Sequence, residues 1–245
     1  MTQRRDEVWK NEWLVKRFLE GIRGGIPYAS DQIEIMLRIL GSGERPIERF
    51  LDLGSGSGLL AIGLSTRYPN ARATLVDFSE PMMEAARDLL GDDVTMPRFV
   101  IADLALPGWV EKVKSDAPFD AVVSGYAIHH LEDDRKRALY KEIMNLLAPG
   151  GFFINVEHVA SSTPWLTEIF DDALIDSMVS FQHQAGGARS RREVAAEHHA
   201  RPDEAANILA PVEAQCEWLR ELGFEDVDCY FKYFELAVFG GRKPA

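Results

Sequence analysis

Short apolar runs alternate with helical patterns between residues 48 and 158 of this 245-residue chain. The runs begin near Phe50, Thr74, Val100, Phe119 and Phe152, and stretches with apolar positions at helical spacing separate them. A strand pattern that alternates with a helix pattern predicts a parallel sheet joined by right-handed crossovers. The chain is therefore predicted to be an α/β protein with a doubly wound sheet.

The segments on either side have different patterns. Residues 6–22 carry apolar positions at helical spacing, glycines and a proline break that pattern, and a second helix is predicted at about 31–40. Residues 160–222 contain no candidate strand, whereas the apolar side chains of 223–242 alternate as in an antiparallel pair of strands.

One domain with four parts is predicted from these patterns. A helical N-terminal cap at 1–45 precedes a ligand-binding core at 46–159. An inserted helical lid at 160–210 follows, and a final helix with a β-hairpin at 211–245 completes the core. In open α/β sheets ligands bind at the carboxyl ends of the strands, so the cap and the lid are expected to cover that edge.

A glycine-rich loop follows the first predicted strand. Asp52 precedes Gly54, Gly56 and Gly58, and helical spacing begins at Leu59. Glycines at a strand-to-helix turn let a ligand approach the backbone more closely than a Cβ would allow. The dinucleotide fingerprint requires a glycine at the position of Leu59, and no Gly-Lys-Ser/Thr of a phosphate loop follows. The loop is therefore not predicted to cradle a pyrophosphate or a phosphate chain.

Two carboxylates accompany this loop. Asp52 is placed to point into the crevice, and Asp77 ends the second predicted strand nineteen residues after Gly58. An acid at the end of that strand accepts hydrogen bonds from a ribose diol. The two acids together favour an adenosine that carries a positive group over one that carries a phosphate chain.

Further motifs follow in order. A third predicted strand, Val100–Leu104, contains Asp103, Phe119–Tyr126 forms a fourth, and Leu147–Ile154 contains a Pro-Gly-Gly turn into a fifth. In these motifs the chain resembles the class I S-adenosylmethionine-dependent methyltransferases of type 11/12. The resemblance implies a Rossmann-like sheet of seven strands, mostly parallel with an antiparallel C-terminal hairpin. It also implies an enzyme that binds S-adenosyl-L-methionine and releases S-adenosyl-L-homocysteine.

The same resemblance implies a set of cofactor-binding residues. Asp103 would face the adenine amino group, Asp77 the ribose and Phe78 the adenine ring. The complete set is Asp52, Gly54, Ser55, Gly56, Asp77, Phe78, Asp103, Leu104 and Ser124. Other interpretations remain open, namely Asp77 as a helix cap, Asp103 as the start of a turn and Phe78 as a core aromatic.

Histidines follow two of the predicted strands. His129 and His130 come after the fourth strand, and His158 comes at the end of the fifth. His129 and His158 are the candidate catalytic bases, because an unperturbed histidine titrates near the working pH. Paired histidines without a base role are the alternative. A zinc site joining the three to His198 or His199 lacks any short Cys/His ligand spacing, so no metal is predicted.

The acceptor site is predicted to involve the cap and the lid. Tyr28 is a candidate for its wall, with simple packing as the alternative. Arg189 and Arg192 are candidates for a carboxylate clamp, because guanidinium groups match carboxylates geometrically. A solvated helix face balanced by neighbouring glutamates is the alternative.

The predicted reaction is methyl transfer to an O or N atom of a small molecule or a peptide carboxylate. One alternative is a non-catalytic or regulatory protein that binds S-adenosylmethionine. Another is an enzyme that uses a modified form of the cofactor.

Charge and composition narrow the choice of partners. The chain has 39 acidic and 27 basic residues, a net charge of −12, which disfavours nucleic acid because such binding draws on Lys and Arg. No apolar run approaches the roughly 18 residues of a membrane span, and no signal-peptide core is evident. Cys216 and Cys229 are too few for a disulfide framework, so a cytoplasmic protein is expected. A homodimer is left open.

Overall fold

The computed structural model describes residues 4–17, 23–91 and 97–245. Within these residues one sheet has the strand order β3-β2-β1-β4-β5-β7-β6. The strands are Arg49–Leu53 (β1), Arg72–Asp77 (β2), Arg98–Ile101 (β3), Phe119–Gly125 (β4), Leu147–His158 (β5), Glu225–Tyr233 (β6) and Leu236–Arg242 (β7). Strands β1 to β5 pair in parallel, whereas β7 is antiparallel to both β5 and β6. The predicted Rossmann-like fold class is confirmed.

The helices lie on both faces of this sheet. They are Glu12–Arg17 (α1), Ala29–Leu40 (α2), Leu59–Arg67 (α3), Glu80–Leu90 (α4), Trp109–Val113 (α5), Asp133–Leu146 (α6), Pro164–Gln184 (α7), Arg191–His199 (α8) and Val212–Glu221 (α9). Side chains alternate between two apolar layers, as β1 illustrates with Leu51 and Leu53 in one layer and Phe50 in the other. The helix–strand alternation that predicted the sheet thus reflects a core on each face.

The N-terminal segment differs from the single helix predicted at 6–22. A 3-10 turn at Arg5–Lys10 is followed by α1, which begins at Glu12. The break has a local cause, because the Asn11 side chain accepts a hydrogen bond from the Leu14 N–H at 3.1 Å, as an N-cap does. The predicted helical positions 18–22 lie outside the described residues.

The lid segment begins and ends beside the β6–β7 turn. The Val159 N–H donates to the Glu235 carbonyl at 2.7 Å, and the Ala160 N–H donates to the Ala210 carbonyl at 3.0 Å. Helix α7 packs on the 3-10 turn Arg23–Gly25, where a Cβ on Gly25 would lie 2.7 Å from Met178. Cap and lid residues therefore contact each other, although the four-part division stays a prediction.

Among the described helices, none combines the length and the apolar character that crossing a bilayer requires.

Candidate active site

A cavity opens where the carboxyl ends of β1 to β4 meet, and we call it the first cavity. Its wall includes eight of the predicted cofactor-binding residues, namely Asp52, Gly54, Ser55, Gly56, Asp77, Phe78, Asp103 and Leu104. These residues are far apart in sequence, but parallel strands place their carboxyl ends at one edge of the sheet.

The loop from β1 to α3 forms one wall of the first cavity. Gly54 has a φ of +61°, and a Cβ there would lie 2.2 Å from the Cβ of Ala127. The Ser55 N–H donates to the Val76 carbonyl at 3.0 Å and fixes the loop against β2. The position at Gly54 therefore tolerates only glycine, and the backbone itself faces the cavity.

Asp77 ends β2 with its carboxylate tied to this loop. Its Oδ2 accepts from the Gly56 N–H and its Oδ1 from the Ser79 N–H, each at 2.8 Å. Burial raises the pKa of Asp77, and the backbone hydrogen bonds oppose that rise. An ionised carboxylate has about four acceptor sites, so it retains capacity for hydroxyl donors in the cavity.

Asp103 lies in the loop after β3, which ends at Ile101 rather than continuing to Leu104 as predicted. Its Oδ1 accepts from the Ala105 N–H at 2.9 Å, the turn contact that the alternative interpretation anticipated. Its Oδ2 accepts from Arg4 Nη1 at 2.6 Å. The carboxylate therefore lines the first cavity with a cation already beside it.

The N-terminal 3-10 turn covers the first cavity, as expected of the cap, but it does so through contacts that the sequence pattern did not indicate. The Ser79 hydroxyl donates to the Trp9 carbonyl at 2.6 Å, and Trp9 Nε1 donates to His130 Nε2 at 3.1 Å. Arg4, Asp6 and Trp9 contribute to the cavity wall. Apolar spacing gave no signal for these contacts, because polar side chains and a carbonyl make them.

Ser124 is a correction to the predicted set. Its hydroxyl donates to the Leu53 carbonyl at 2.8 Å, and the residue is fully buried between β1 and β4. This hydrogen bond turns the side chain toward the neighbouring strand rather than toward the first cavity.

A second cavity, of about 600 Å³, adjoins the first and is walled largely by the lid. The two cavities share Trp9, Ile26, Tyr126 and His130. Tyr126 follows β4 with a φ of +52°, a conformation that non-glycine residues rarely adopt outside constrained sites. Its hydroxyl donates to Gln32 Oε1 at 2.6 Å. The junction between the cavities is thus held by side chains from the cap and from the residue that follows β4.

His129 lines the second cavity and is paired with a buried carboxylate. Its Nδ1 lies 2.6 Å from Glu157 Oε1. Glu157 also accepts hydrogen bonds from the backbone N–H groups of His129 and His158 at 3.1 and 2.8 Å. Burial raises the pKa of Glu157 to about 6 and holds the pKa of His129 well below its usual value. Neutral His129 therefore carries its proton on Nδ1 and has Nε2 as its basic atom, and its ring also forms a hydrogen bond with the Asn207 side chain.

His130 lines both cavities but has both ring nitrogens occupied. Its Nδ1 lies 3.2 Å from the Ala206 carbonyl, and its Nε2 accepts from Trp9. Burial lowers the pKa of His130 to about 3. The residue therefore links the N-terminal turn to the lid as a neutral side chain.

His158 forms a second carboxylate pair in the same cavity. Its Nε2 lies 2.9 Å from Glu235 Oε2, and the Thr167 hydroxyl donates to Glu235 Oε1 at 2.9 Å. The rings of His129 and His158 have centroids 5.7 Å apart. Sequence reasoning missed both glutamates, since only tertiary contacts join them to the histidines.

The predicted acceptor-binding residues lie elsewhere. Tyr28 is half exposed and its ring packs on Tyr233 of β6, with centroids 4.9 Å apart. Arg189 pairs with Glu197 on the exposed side of the lid, and Arg192 is exposed on α8. As far as the described residues define the walls, neither cavity includes any of the three, so we correct their placement.

The fold and the first cavity together define a class of protein, the S-adenosylmethionine-binding enzymes with a Rossmann-like sheet. Residues 50–151 match the family model described as "Methyltransferase domain". Over these residues the chain has the domain of the class I S-adenosylmethionine-dependent methyltransferases, whose cofactor is S-adenosylmethionine.

Two curated relatives illustrate matches of different length. The carboxy-S-adenosyl-L-methionine synthase of Nautilia profundicola is 23% identical over 231 residues, which is 94% of this chain and 92% of that protein. The malonyl-[acyl-carrier protein] O-methyltransferase of Geobacter sulfurreducens is 40% identical over 133 residues, 51% of this chain and 45% of that protein. The chain thus spans about half the length of the second relative.

Solved structures agree on the fold. An O-methyltransferase family protein from Burkholderia thailandensis has a TM-score of 0.64 at 15% identity, covering 98% of this chain and 60% of that one. The structure of PigF with SAH has a TM-score of 0.60 at 16% identity, covering 99% and 63%. At these identities the likeness extends to the fold alone.

Proposed function

We propose that the chain transfers a methyl group from S-adenosylmethionine in the first cavity to an O or N atom of a small molecule in the second. The observation that carries this proposal is the shared wall of the two cavities at Trp9, Ile26, Tyr126 and His130. A donor and an acceptor on either side of this junction would be close enough for in-line displacement without passing through solvent.

The residues of the first cavity fit the cofactor. Gly54 leaves the backbone accessible where a Cβ would collide with Ala127. Asp77 offers acceptors for the ribose hydroxyls, and Asp103 lies in the same wall for the adenine amino group. Asp52, which is buried, adds a carboxyl group to the wall that would lie near the cationic part of the ligand. When bound, S-adenosylmethionine supplies an electrophilic methyl group on a sulfonium.

His129 is proposed as the general base. Glu157 holds the His129 ring by its Nδ1, so Nε2 is the atom that takes a proton from an acceptor hydroxyl or ammonium. Burial disfavours the imidazolium that forms, and the carboxylate counteracts this effect because the two groups are 2.6 Å apart and shielded from water. His158, oriented by Glu235, is the second candidate for the same step.

A small acceptor is favoured over a peptide carboxylate. The second cavity has a volume of about 600 Å³, a size typical of small-molecule sites. The arginines predicted to clamp a carboxylate lie on the outer face of the lid, where Arg189 is already paired with Glu197. Arg201, the arginine among the described lining residues of the second cavity, is paired with Asp203.

The proposal is tested by comparing His129→Asn, His158→Asn and His183→Asn. His183 is an exposed histidine on α7 and serves as the matched control. Methyl transfer to a panel of small alcohols, phenols and amines is followed as S-adenosylhomocysteine formation, and binding of that product is measured by calorimetry.

We expect His129→Asn to lower kcat by about a hundredfold or more while product affinity is unchanged. Wild-type activity in the His129 variant, with loss in His158→Asn, would transfer the base role to His158. Tight binding of the cofactor with no transfer to any acceptor would favour a regulatory binding protein.

A modified cofactor is the second candidate, and the length of one alignment supports it. The similarity to the carboxy-S-adenosyl-L-methionine synthase extends over 92% of that protein and over 94% of this chain, which takes in the lid. The similarity to the malonyl-[acyl-carrier protein] O-methyltransferase covers only 45% of that protein. Mass spectrometry of the nucleoside that co-purifies with the chain distinguishes the two. A mass greater by one carboxyl group supports the modified cofactor, and unmodified S-adenosylmethionine or its product supports the methyltransferase.

A further inference from the structure

Three side chains of types that can bind metals converge between the lid helices. They are separate from the histidines at the junction of the two cavities. Asp171 lies in α7, and His198 and His199 end α8. Asp171 Oδ1 is 2.6 Å from His198 Nε2, and Asp171 Oδ2 is 2.6 Å from His199 Nε2. The three donor atoms all lie within 4.8 Å of one another, so a small rotation of each side chain would direct them at one point.

The kind of donor indicates the kind of ion. Two imidazole nitrogens and one carboxylate oxygen suit Zn²⁺ and neighbouring transition metals, whereas Mg²⁺ and Ca²⁺ prefer oxygen ligands throughout. Three protein ligands also leave coordination positions open to water or another ligand, as in catalytic rather than structural zinc sites.

The surrounding charge also favours a cation. Asp203 and Glu204 follow α8 and line the second cavity with Asp171, against the single guanidinium of Arg201 among the described lining residues. Arg201 is paired with Asp203, with Nη2 and Oδ2 3.1 Å apart. The excess of carboxylates at this end of the lid attracts a positive ion and lowers the cost of binding it.

We propose that Asp171, His198 and His199 form a binding site for one divalent transition-metal ion such as Zn²⁺. The ion would replace the two hydrogen bonds that join Asp171 to His198 and His199, whereas the pairing of Arg191 of α8 with Asp172 and Asp176 of α7 would stay in place. Because Asp171 and His198 belong to the wall of the second cavity, the ion would also become part of the acceptor site. The site is independent of the proposed methyl transfer, since metal binding is measured without cofactor or acceptor.

The test is a Co²⁺ titration of the untagged, chelator-treated full chain, followed by visible absorption. We expect a band that saturates at one equivalent and disappears when Zn²⁺ is added. His199→Ala is the main variant, because this side chain is 56% exposed and we expect its removal to leave the fold intact. It should weaken Co²⁺ affinity by at least about tenfold, as even the loss of an outer-shell partner of a metal ligand does.

Asp171→Asn should have the same effect. His183→Ala removes an exposed histidine of α7 outside the cluster, and it should bind Co²⁺ as the wild type does. Zn²⁺ should raise the Tm of the wild type and of His183→Ala but not that of His199→Ala. The proposal is overturned if the wild type shows no saturable band, or if His199→Ala and Asp171→Asn titrate like the wild type.

Discussion

Replacing Asp77 by asparagine should weaken binding of S-adenosylhomocysteine without unfolding the chain. The carboxylate accepts two backbone hydrogen bonds, from Gly56 and Ser79, at 2.8 Å each. An amide keeps only one of the two oxygens, so one buried N–H loses its acceptor, at a cost of about 1–3 kcal/mol in the free energy of unfolding. A ribose hydroxyl would lose a charged acceptor worth about 1.5–3 kcal/mol, which corresponds to about a 10- to 100-fold rise in Kd.

Asp120→Asn is the matched control for this experiment. Asp120 also accepts two backbone hydrogen bonds, from Glu48 and Arg49 at 2.9 and 3.0 Å, but it lies near the start of β4, at the opposite edge of the sheet. Calorimetry should show wild-type affinity in the control and weakened affinity in Asp77→Asn, with both variants folded by circular dichroism. Equal affinity in the two variants would refute the placement of the ribose at Asp77.

Three further perturbations have defined outcomes. In urea unfolding, Gly54→Ala should lose more stability than Gly91→Ala. Both glycines have a positive φ, but only the methyl group at position 54 would lie 2.2 Å from Ala127, and equal losses would contradict this reasoning. Folding raises the pKa of Glu157 from 4.5 to about 6, so the free energy of unfolding should fall by about 2 kcal/mol as pH rises through that interval. The Glu157→Gln variant should lack this loss, and parallel pH profiles of the two proteins would contradict the prediction. Trp9→Phe removes a hydrogen bond across the first cavity and should speed S-adenosylhomocysteine release about 2- to 10-fold, as measured by stopped flow. An unchanged rate would show that the N-terminal turn does not control cofactor exchange.

The sheet and the first cavity were predictable because their signals are local. An apolar run followed by glycines defines the β1–α3 loop within a few residues, and strand-end acids such as Asp77 lie at fixed distances from it. Parallel pairing then brings these ends together without any further information. The turn at Asn11 and the inward hydroxyl of Ser124 were missed, because single hydrogen bonds decide them.

The second cavity could not be predicted in the same way. Glu157 is adjacent to His158 in sequence, but successive side chains of a strand point to opposite faces, and Glu157 pairs with His129 instead. Glu235 reaches His158 from 77 residues away, and Asp171 reaches His198 from 27. The first two pairs depend on how β5 meets the turn after β4 and the β6–β7 turn, and the third depends on how the lid helices pack together. No periodicity in the sequence reveals these contacts.

A crystal structure of the chain with S-adenosylhomocysteine tests the central claim most directly. The account predicts adenosine density in the first cavity, with the ribose hydroxyls on Asp77 and the sulfur at the junction formed by Trp9, Tyr126 and His130. The sulfur should face the second cavity, toward His129. Density with the sulfur directed away from that junction, or a ligand bound outside the first cavity, would contradict the account.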